Sequence, residues 1–163
     1  MYNKYDIFRN LFMYYFLAGL LFFIFIILNI FSENKSIHNL MKYIFIIFRS
    51  SIVLLFIAHT LGLIARWYIS GHAPWGDAYE SMIYVAWATM GIGLLFIKKS
   101  DLTLASTSFV TSMILMIAHW NWMDPSIANL VPVLNSYWLM IHVSVIVGSY
   151  GPFALSMILG FVS

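Results

Sequence analysis

The five histidines are the residues of this chain best suited to metal chemistry, because an imidazole nitrogen binds iron, copper and zinc. His59 and His142 lie inside long apolar segments, where an ionisable side chain is costly and is a functional candidate by default. Trp138, His142, Val145 and Ser149 follow helical spacing, so we expect one polar and aromatic stripe that faces the interior of a helix bundle. Imidazole beside an aromatic surface can hold a haem iron, with a packing role for His142 as the alternative.

The elements that position these residues are membrane helices. Hydrophobic residues make up 63% of the chain and charged residues 9%, so the composition is that of an integral membrane protein rather than a soluble domain. About five apolar runs are long enough for helices that cross a bilayer, and alternating segments typical of a barrel are absent from the sequence. The predicted spans are about Ile7 to Phe31, Tyr43 to Ser70, Glu80 to Ile97, Leu102 to His119, and Tyr137 to the end. The fold class is therefore all-α and polytopic, with residues 1–163 as one transmembrane domain.

The short loops predict the orientation. Lys35 and Lys42 lie between spans one and two, and Lys98 and Lys99 lie between spans three and four, so these loops should be cytoplasmic. The loops 71–79 and 120–136 lack lysine and arginine and should lie outside. The N-terminus is then expected outside too, although Lys4 and Arg9 favour an N-terminus inside.

Most of the histidines and tryptophans then lie on the outer side. His59 and His142 are expected at similar depth in the outer leaflet, at 1.5 Å of rise per residue. The other residues assigned to the outer side are His72, His119, Trp67, Trp75, Trp120, Trp122 and Trp138. An interfacial aromatic belt is the structural alternative to a cofactor surface.

Several further residues have a structural interpretation, and some of them have a functional one as well. Arg66 is expected to snorkel to the interface as an anchor, or to meet a haem propionate. Asp77 and Glu80 predict a capping box at the start of span three, with a ligand role as the alternative. His59 is expected to be a helix-to-helix hydrogen-bonding residue, or else a second cofactor ligand. Ser144, Gly148 and Pro152 mark a face of span five where another helix can approach closely.

Several function classes have no support in the sequence. The absence of cysteine excludes disulfides and thiolate ligands on this chain, and no phosphate-binding loop or hydrolase motif occurs. A net charge of +2 gives no indication of nucleic-acid binding, whereas membrane lipid is an expected partner.

Two long stretches resemble the CcsA family, the membrane subunit of the system II cytochrome c synthase. The first is LGLIARWYISGHAPWGDAYESM, residues 61–82. The second comprises AHWNWMDP at 118–125, LVPVLNSYWLMIHVS at 130–144, and Ser149-Tyr150-Gly151. The resemblance covers about residues 50–163, while the first span matches by hydropathy alone.

The resemblance implies cytochrome c biogenesis at a bacterial cytoplasmic membrane. Members handle haem b at the outer face and present it to the C-x-x-C-H motif of an apocytochrome c, together with a CcsB-type subunit or fused domain. His142 matches the first of two outer histidines that bind the haem iron as axial ligands. Trp138, Arg66 and His59 are secondary candidates for contacts with the cofactor, and no residue is assigned a catalytic role.

The resemblance also sets an expectation about completeness. In the family, a tryptophan-rich segment and the second outer histidine follow the position of His142, and the sequence ends at Ser163 before reaching them. We expect a synthase only as part of a complete system, and an isolated chain that binds haem weakly and attaches none. The rival hypothesis is a b-type cytochrome or quinone-linked respiratory subunit, with His59 and His142 as paired ligands.

Overall fold

The computed structural model describes residues 7–31, 35–71, 78–120 and 137–162, and its regular elements within these ranges are five α-helices. The predicted all-α fold is confirmed. The helices are α1 (Ile7–Phe31), α2 (Lys35–Ser70), α3 (Ala78–Leu95), α4 (Asp101–His119) and α5 (Tyr137–Val162).

Helix bounds lie within two residues of the predicted spans except at the start of α2. The bounds of α1 are those predicted, because its apolar run ends where the helix ends. In contrast, α2 begins at Lys35, eight residues before the predicted Tyr43, and has 36 residues in total. Polar residues can continue a helix beyond the hydrocarbon, where hydropathy no longer marks it. The part of α2 before Tyr43 is therefore helix that the apolar run could not reveal.

Three helices are long and apolar enough to cross a membrane by length and composition: α1, α2 and α4. A shorter apolar segment, Ile141–Phe153, lies within α5. α3 has 18 residues and is packed among its neighbours, with Glu80 buried in its first turn. Together these helices are consistent with a multi-pass membrane protein.

The described helices form one bundle in which α4 packs extensively on both α1 and α3, and α5 packs mainly on α3. α2 lies against α1 and, less extensively, against α3. Buried apolar side chains from the first four helices form one cluster. Its fully enclosed members include Tyr15, Phe22, Ile52, Ile83, Ala86, Met90 and Leu104.

Small residues allow the closest helix contacts. At Gly19 in α1, an added Cβ would lie 3.0 Å from the Phe109 amide nitrogen of α4 and 3.1 Å from the Ala105 carbonyl oxygen. Nearby, Ser108 of α4 donates a hydrogen bond of 2.9 Å to the Tyr15 carbonyl oxygen of α1. Such close backbone approach is how helices gain contact area where lipid supplies no hydrophobic driving force.

The expected close-approach face of α5 is confirmed in part. Gly148 packs on the Tyr84 ring of α3, and Gly151 packs so closely on Thr89 that a side chain there would clash. Pro152 lies inside α5. α5 therefore contacts α3 through its small residues.

Two local devices fix helix ends. Gly71 follows the end of α2 with φ of 70°, and its amide bonds to the Trp67 carbonyl oxygen at 3.0 Å, which is the left-handed C-terminal cap that favours glycine. Ser100 caps α4, because its hydroxyl accepts from the Thr103 amide at 3.2 Å. Lys98 and Lys99 lie in the turn between α3 and α4, as predicted.

Candidate functional site

His142 is exposed on α5, one turn after Trp138, whose side chain is 78% exposed. Val145 on the same stripe is 67% exposed. The prediction that this stripe faces the interior of the described bundle is wrong, because α5 uses the face with Gly148 and Gly151 to contact α3. The result is an imidazole and an indole that are both accessible and lie about one helical turn apart.

The contacts between α3 and α5 indicate the level of His142. Gly148 opposes Tyr84 and Gly151 opposes Thr89, so the two helices run in the same direction. His142 lies six residues before Gly148, or about 9 Å along the helix. This puts it level with the first turn of α3, near the end of the bundle where α3 begins.

His59 has the opposite environment, because its side chain is 0% exposed. Its ring packs edge to face on Phe8 at 5.6 Å and lies 6.1 Å from the Tyr15 ring, measured between centroids. The backbone of Ile83 approaches the imidazole. Even so, no atom of the described residues meets hydrogen-bond geometry with either ring nitrogen. The ring contacts join α2 to α1, and the predicted helix-to-helix hydrogen bond of His59 stays a prediction.

The two intramembrane histidines do not face each other. His59 points among residues of α1, whereas His142 is exposed on α5, and α2 and α5 have few contacts. Along α2, His59 lies seven residues, or about 10 Å, before Arg66, and the part of α3 that approaches it is the backbone of Ile83. His59 therefore lies past the first turn of α3, where His142 lies, so the two histidines are at different levels of the described bundle. A single haem held between the two, as in the rival hypothesis, has no support in this arrangement.

A buried ion pair joins the ends of α2 and α3. Arg66 Nε donates to Glu80 Oε1 at 2.9 Å, and their side chains are 2% and 1% exposed. The guanidinium also lies over the Tyr79 ring, 5.0 Å from its centroid, in a cation–π contact. The prediction that Arg66 snorkels to the interface is therefore wrong, because a buried charge is stabilised by a partner instead.

This pairing also changes the interpretation of Glu80. Its carboxylate contacts Arg66 of the preceding helix, a tertiary role that the capping-box pattern did not suggest. Asp77, the other member of that box, lies outside the described residues. The sequence does contain a signal for this ion pair, because Arg66 and Glu80 carry opposite charges on either side of one short loop within apolar surroundings.

An aromatic stack continues between α2 and α3 below the ion pair. The Trp87 indole stacks on Phe56 at 5.7 Å and on Tyr84 at 5.8 Å, and its Nε1 donates to Thr60 Oγ1 at 2.9 Å. Thr60 in turn donates to the Phe56 carbonyl oxygen at 2.8 Å. Trp87 therefore serves helix packing, with its N–H satisfied in the interior.

His119 and Trp120 lie at the end of α4. With Phe12 and Met116 they line an open cavity of about 420 Å³ between α4 and α1. Trp120 is 68% exposed, as expected of an interfacial aromatic residue. His72, Trp75 and Trp122 lie outside the described residues.

Basic residues gather at the opposite end of the bundle. Arg49 of α2 makes a two-pronged contact with Asp101 of α4, with Nε to Oδ1 at 2.8 Å and Nη2 to Oδ2 at 2.9 Å. This contact brings the early part of α2 beside the start of α4, so the exposed Lys42, Lys98 and Lys99 lie towards one end. The described structure thus separates a lysine-bearing end from an end with exposed tryptophan and histidine.

Comparison with known proteins identifies the family. A family model described as Cytochrome C assembly protein matches residues 75–163, which includes α3, α4 and α5. The chain therefore belongs to the cytochrome c assembly protein family.

Individual relatives agree with this assignment. The chain is 50% identical over 107 residues to Protein NrfI of Wolinella succinogenes, covering 66% of this chain and 12% of that protein. It is 32% identical over 155 residues to the cytochrome c biogenesis protein CcsA of Prochlorococcus marinus strain MIT 9515, covering 86% and 46%. It is 41% identical over 98 residues to CcsA of Guizotia abyssinica, covering 54% and 29%. The chain spans less than half the length of these relatives.

Proposed function

We propose that this chain is a haem-handling membrane component of cytochrome c maturation, with His142 as an axial ligand of the haem iron. Membership of the cytochrome c assembly family supports the process. The observation that carries the residue assignment is the exposed imidazole of His142 beside the exposed indole of Trp138. The relatives named CcsA, a cytochrome c biogenesis protein, support the same role.

The residues present fit one side of a haem. A neutral imidazole supplies one axial nitrogen, and a neighbouring aromatic side chain offers an apolar surface to the macrocycle. His142 and Trp138 meet both requirements from one helix face. The bound haem b would supply the group that becomes attached to protein. This chain's residues would hold and orient it; the thiols would come from the C-x-x-C-H motif of an apocytochrome c.

Arg66 and His59 have smaller roles in this proposal. A haem propionate at Arg66 would have to share the guanidinium with Glu80, which already occupies its Nε. His59 is enclosed by Phe8 and Tyr15, so a haem would reach it only after helix movement. We therefore assign the iron to His142 and leave these two as positions to be tested beside it.

We also propose that the haem-handling end faces outward from a bacterial cytoplasmic membrane. The exposed lysines at the other end support a cytoplasmic placement there, because short cytoplasmic loops carry an excess of lysine and arginine. Apocytochrome c would then approach the end that carries His142 and Trp120, and a CcsB-type subunit would be the membrane partner.

The test is a His142→Ala variant of the protein as the cell makes it, with its partners present. We expect loss of c-type cytochromes, detected by haem staining of denaturing gels, and a loss of haem absorbance in the purified variant. Added imidazole should restore part of both signals, because it can replace the missing axial nitrogen.

The matched control is His38→Ala, in the early part of α2, at the end of the bundle that we place on the cytoplasmic side. This variant should mature c-type cytochromes at near the normal level. Normal maturation by His142→Ala without imidazole, at equal protein abundance, would contradict the assignment of this residue. Loss of one respiratory activity with intact c-type haem in a deletion strain would favour the respiratory rival.

A further inference from the structure

Two uncharged polar side chains meet inside the bundle without a direct hydrogen bond. Tyr15 of α1 and His59 of α2 are both 0% exposed. Their ring centroids are 6.1 Å apart with an interplanar angle of 57°. Within the described part of the chain, the Tyr15 hydroxyl and both His59 ring nitrogens have no hydrogen-bond partner.

The neighbours leave these atoms few alternatives. Ser108 of α4 is the polar side chain that reaches Tyr15, but its hydroxyl donates to the Tyr15 carbonyl oxygen instead. Phe8 covers the His59 ring edge to face and offers no acceptor in the ring plane. The backbone of Ile83 approaches from α3 without forming a bond of acceptable geometry. Polar groups of three helices therefore lie close together in the interior of the bundle.

The chemistry of these groups suits one small ligand that both donates and accepts. A neutral imidazole has one N–H donor and one acceptor nitrogen, and a phenol hydroxyl can do both. A buried polar group without a hydrogen-bond partner has lost its bonds to water and gained none in return, which destabilises the fold. Buried waters in proteins typically make about three hydrogen bonds to such groups. A water can accept a hydrogen bond from one side chain and donate one to the other. Tyr15 and His59 make no direct hydrogen bond to each other in the structure.

We propose that Tyr15 and His59 bind a single buried water that hydrogen-bonds α1 to α2 in the membrane interior. The Ile83 backbone is its third neighbour. This site lies away from His142 and requires no haem, so its test is independent of the proposed function. It gives His59 a role in the bundle that needs no cofactor.

Oxygen-17 relaxation dispersion of solvent water tests the proposal, because the signal comes only from water oxygen and is blind to the tyrosine hydroxyl. The purified chain should show one more long-lived water per protein than its Tyr15→Phe variant. Tyr15→Phe removes one oxygen atom and keeps the packed ring, so helical content should be unchanged. The matched control is Tyr14→Phe, since the neighbouring Tyr14 is 58% exposed, and it should equal the unmodified chain.

A second measurement covers a water that exchanges too slowly for relaxation dispersion. In solid-state NMR of the chain with nitrogen-15 histidine, magnetisation should pass from water protons to a ring nitrogen signal that disappears in His59→Phe. The same transfer should fall at least twofold in Tyr15→Phe. Equal water counts in the unmodified chain and Tyr15→Phe, with no transfer to the His59 ring, would overturn the proposal. A ring signal that couples to the Tyr15 hydroxyl proton alone would also overturn it, in favour of a direct bond.

Discussion

Substitution of Glu80 by glutamine should destabilise the bundle far more than a comparable change at an exposed ion pair. Glutamine keeps the shape and one acceptor oxygen but removes the charge that compensates Arg66. Both side chains are almost fully buried, so the guanidinium would keep its desolvation cost without the negative charge of Glu80. Breaking a buried pair in this way costs about 3–5 kcal/mol. We expect about 3 kcal/mol for Glu80→Gln, the low end, because the hydrogen bond from Arg66 Nε can persist. That corresponds to roughly a hundredfold change in the unfolding equilibrium constant.

The assay is reversible unfolding of the purified chain in mixed micelles, followed by circular dichroism. The matched control is Asp101→Asn, which removes the charge from the pair with Arg49. Those side chains are 23% and 37% exposed, so solvent screens their interaction and the loss should be below about 1 kcal/mol. A double replacement, Arg66→Met with Glu80→Leu, should recover much of the loss, because apolar side chains carry no desolvation penalty. Equal destabilisation by Glu80→Gln and Asp101→Asn would refute the reasoning.

Two further substitutions test the helix contacts. Gly19→Val should separate α1 from α4 and cost about 1–3 kcal/mol in the same unfolding assay, because its side chain would meet the α4 backbone. Gly91→Ala is the control for this change, since its Cβ would lie at an ordinary 3.5 Å from the nearest side chain, and a comparable loss there would contradict the explanation. Trp87→Phe keeps the aromatic stack but loses the indole hydrogen bond to α2, so we expect a loss of about 1 kcal/mol by thermal unfolding. A loss of more than about 3 kcal/mol in the free energy of unfolding would contradict this explanation, because one hydrogen bond does not account for it.

Helix existence and length were predictable because hydrocarbon thickness sets how many apolar residues a span needs. The bounds of α1 follow from that rule alone. The start of α2 does not follow from it, since residues 35–42 form helix although polar residues interrupt their apolar ones. Hydropathy reports contact with hydrocarbon, so a helix that continues past the bilayer needs other signals.

It was harder to predict from the sequence which face of each helix packs against the other helices. The spacing of Trp138, His142 and Val145 correctly groups them on one stripe but does not say whether the stripe faces protein or surroundings. In a membrane both sides are apolar, so the pattern that separates core from solvent in a soluble helix loses its contrast. The small residues Gly148 and Gly151 were the better indicator, because close helix approach requires them.

The ion pair between Arg66 and Glu80 was not predicted from the sequence. Arg66 looked like an interfacial anchor because an isolated arginine near a span end usually reaches for water. Its partner Glu80 is 14 residues away and becomes adjacent only when α2 and α3 pack. The role of His142 in binding haem stays a prediction, supported by the motif and by its exposure.

The two ion pairs of α2 lie at widely separated levels of the helix. Arg49 and Arg66 are 17 residues apart, or about 26 Å along a helix, which is close to the ~30 Å thickness of a hydrocarbon core. Each guanidinium contacts a carboxylate on another helix, so a slide of α2 alone would disturb both contacts, and the buried pair with α3 resists this more than the exposed pair with α4. We therefore expect α2 and α3 to tilt together in a thinner or thicker bilayer, which would link their angle to lipid composition.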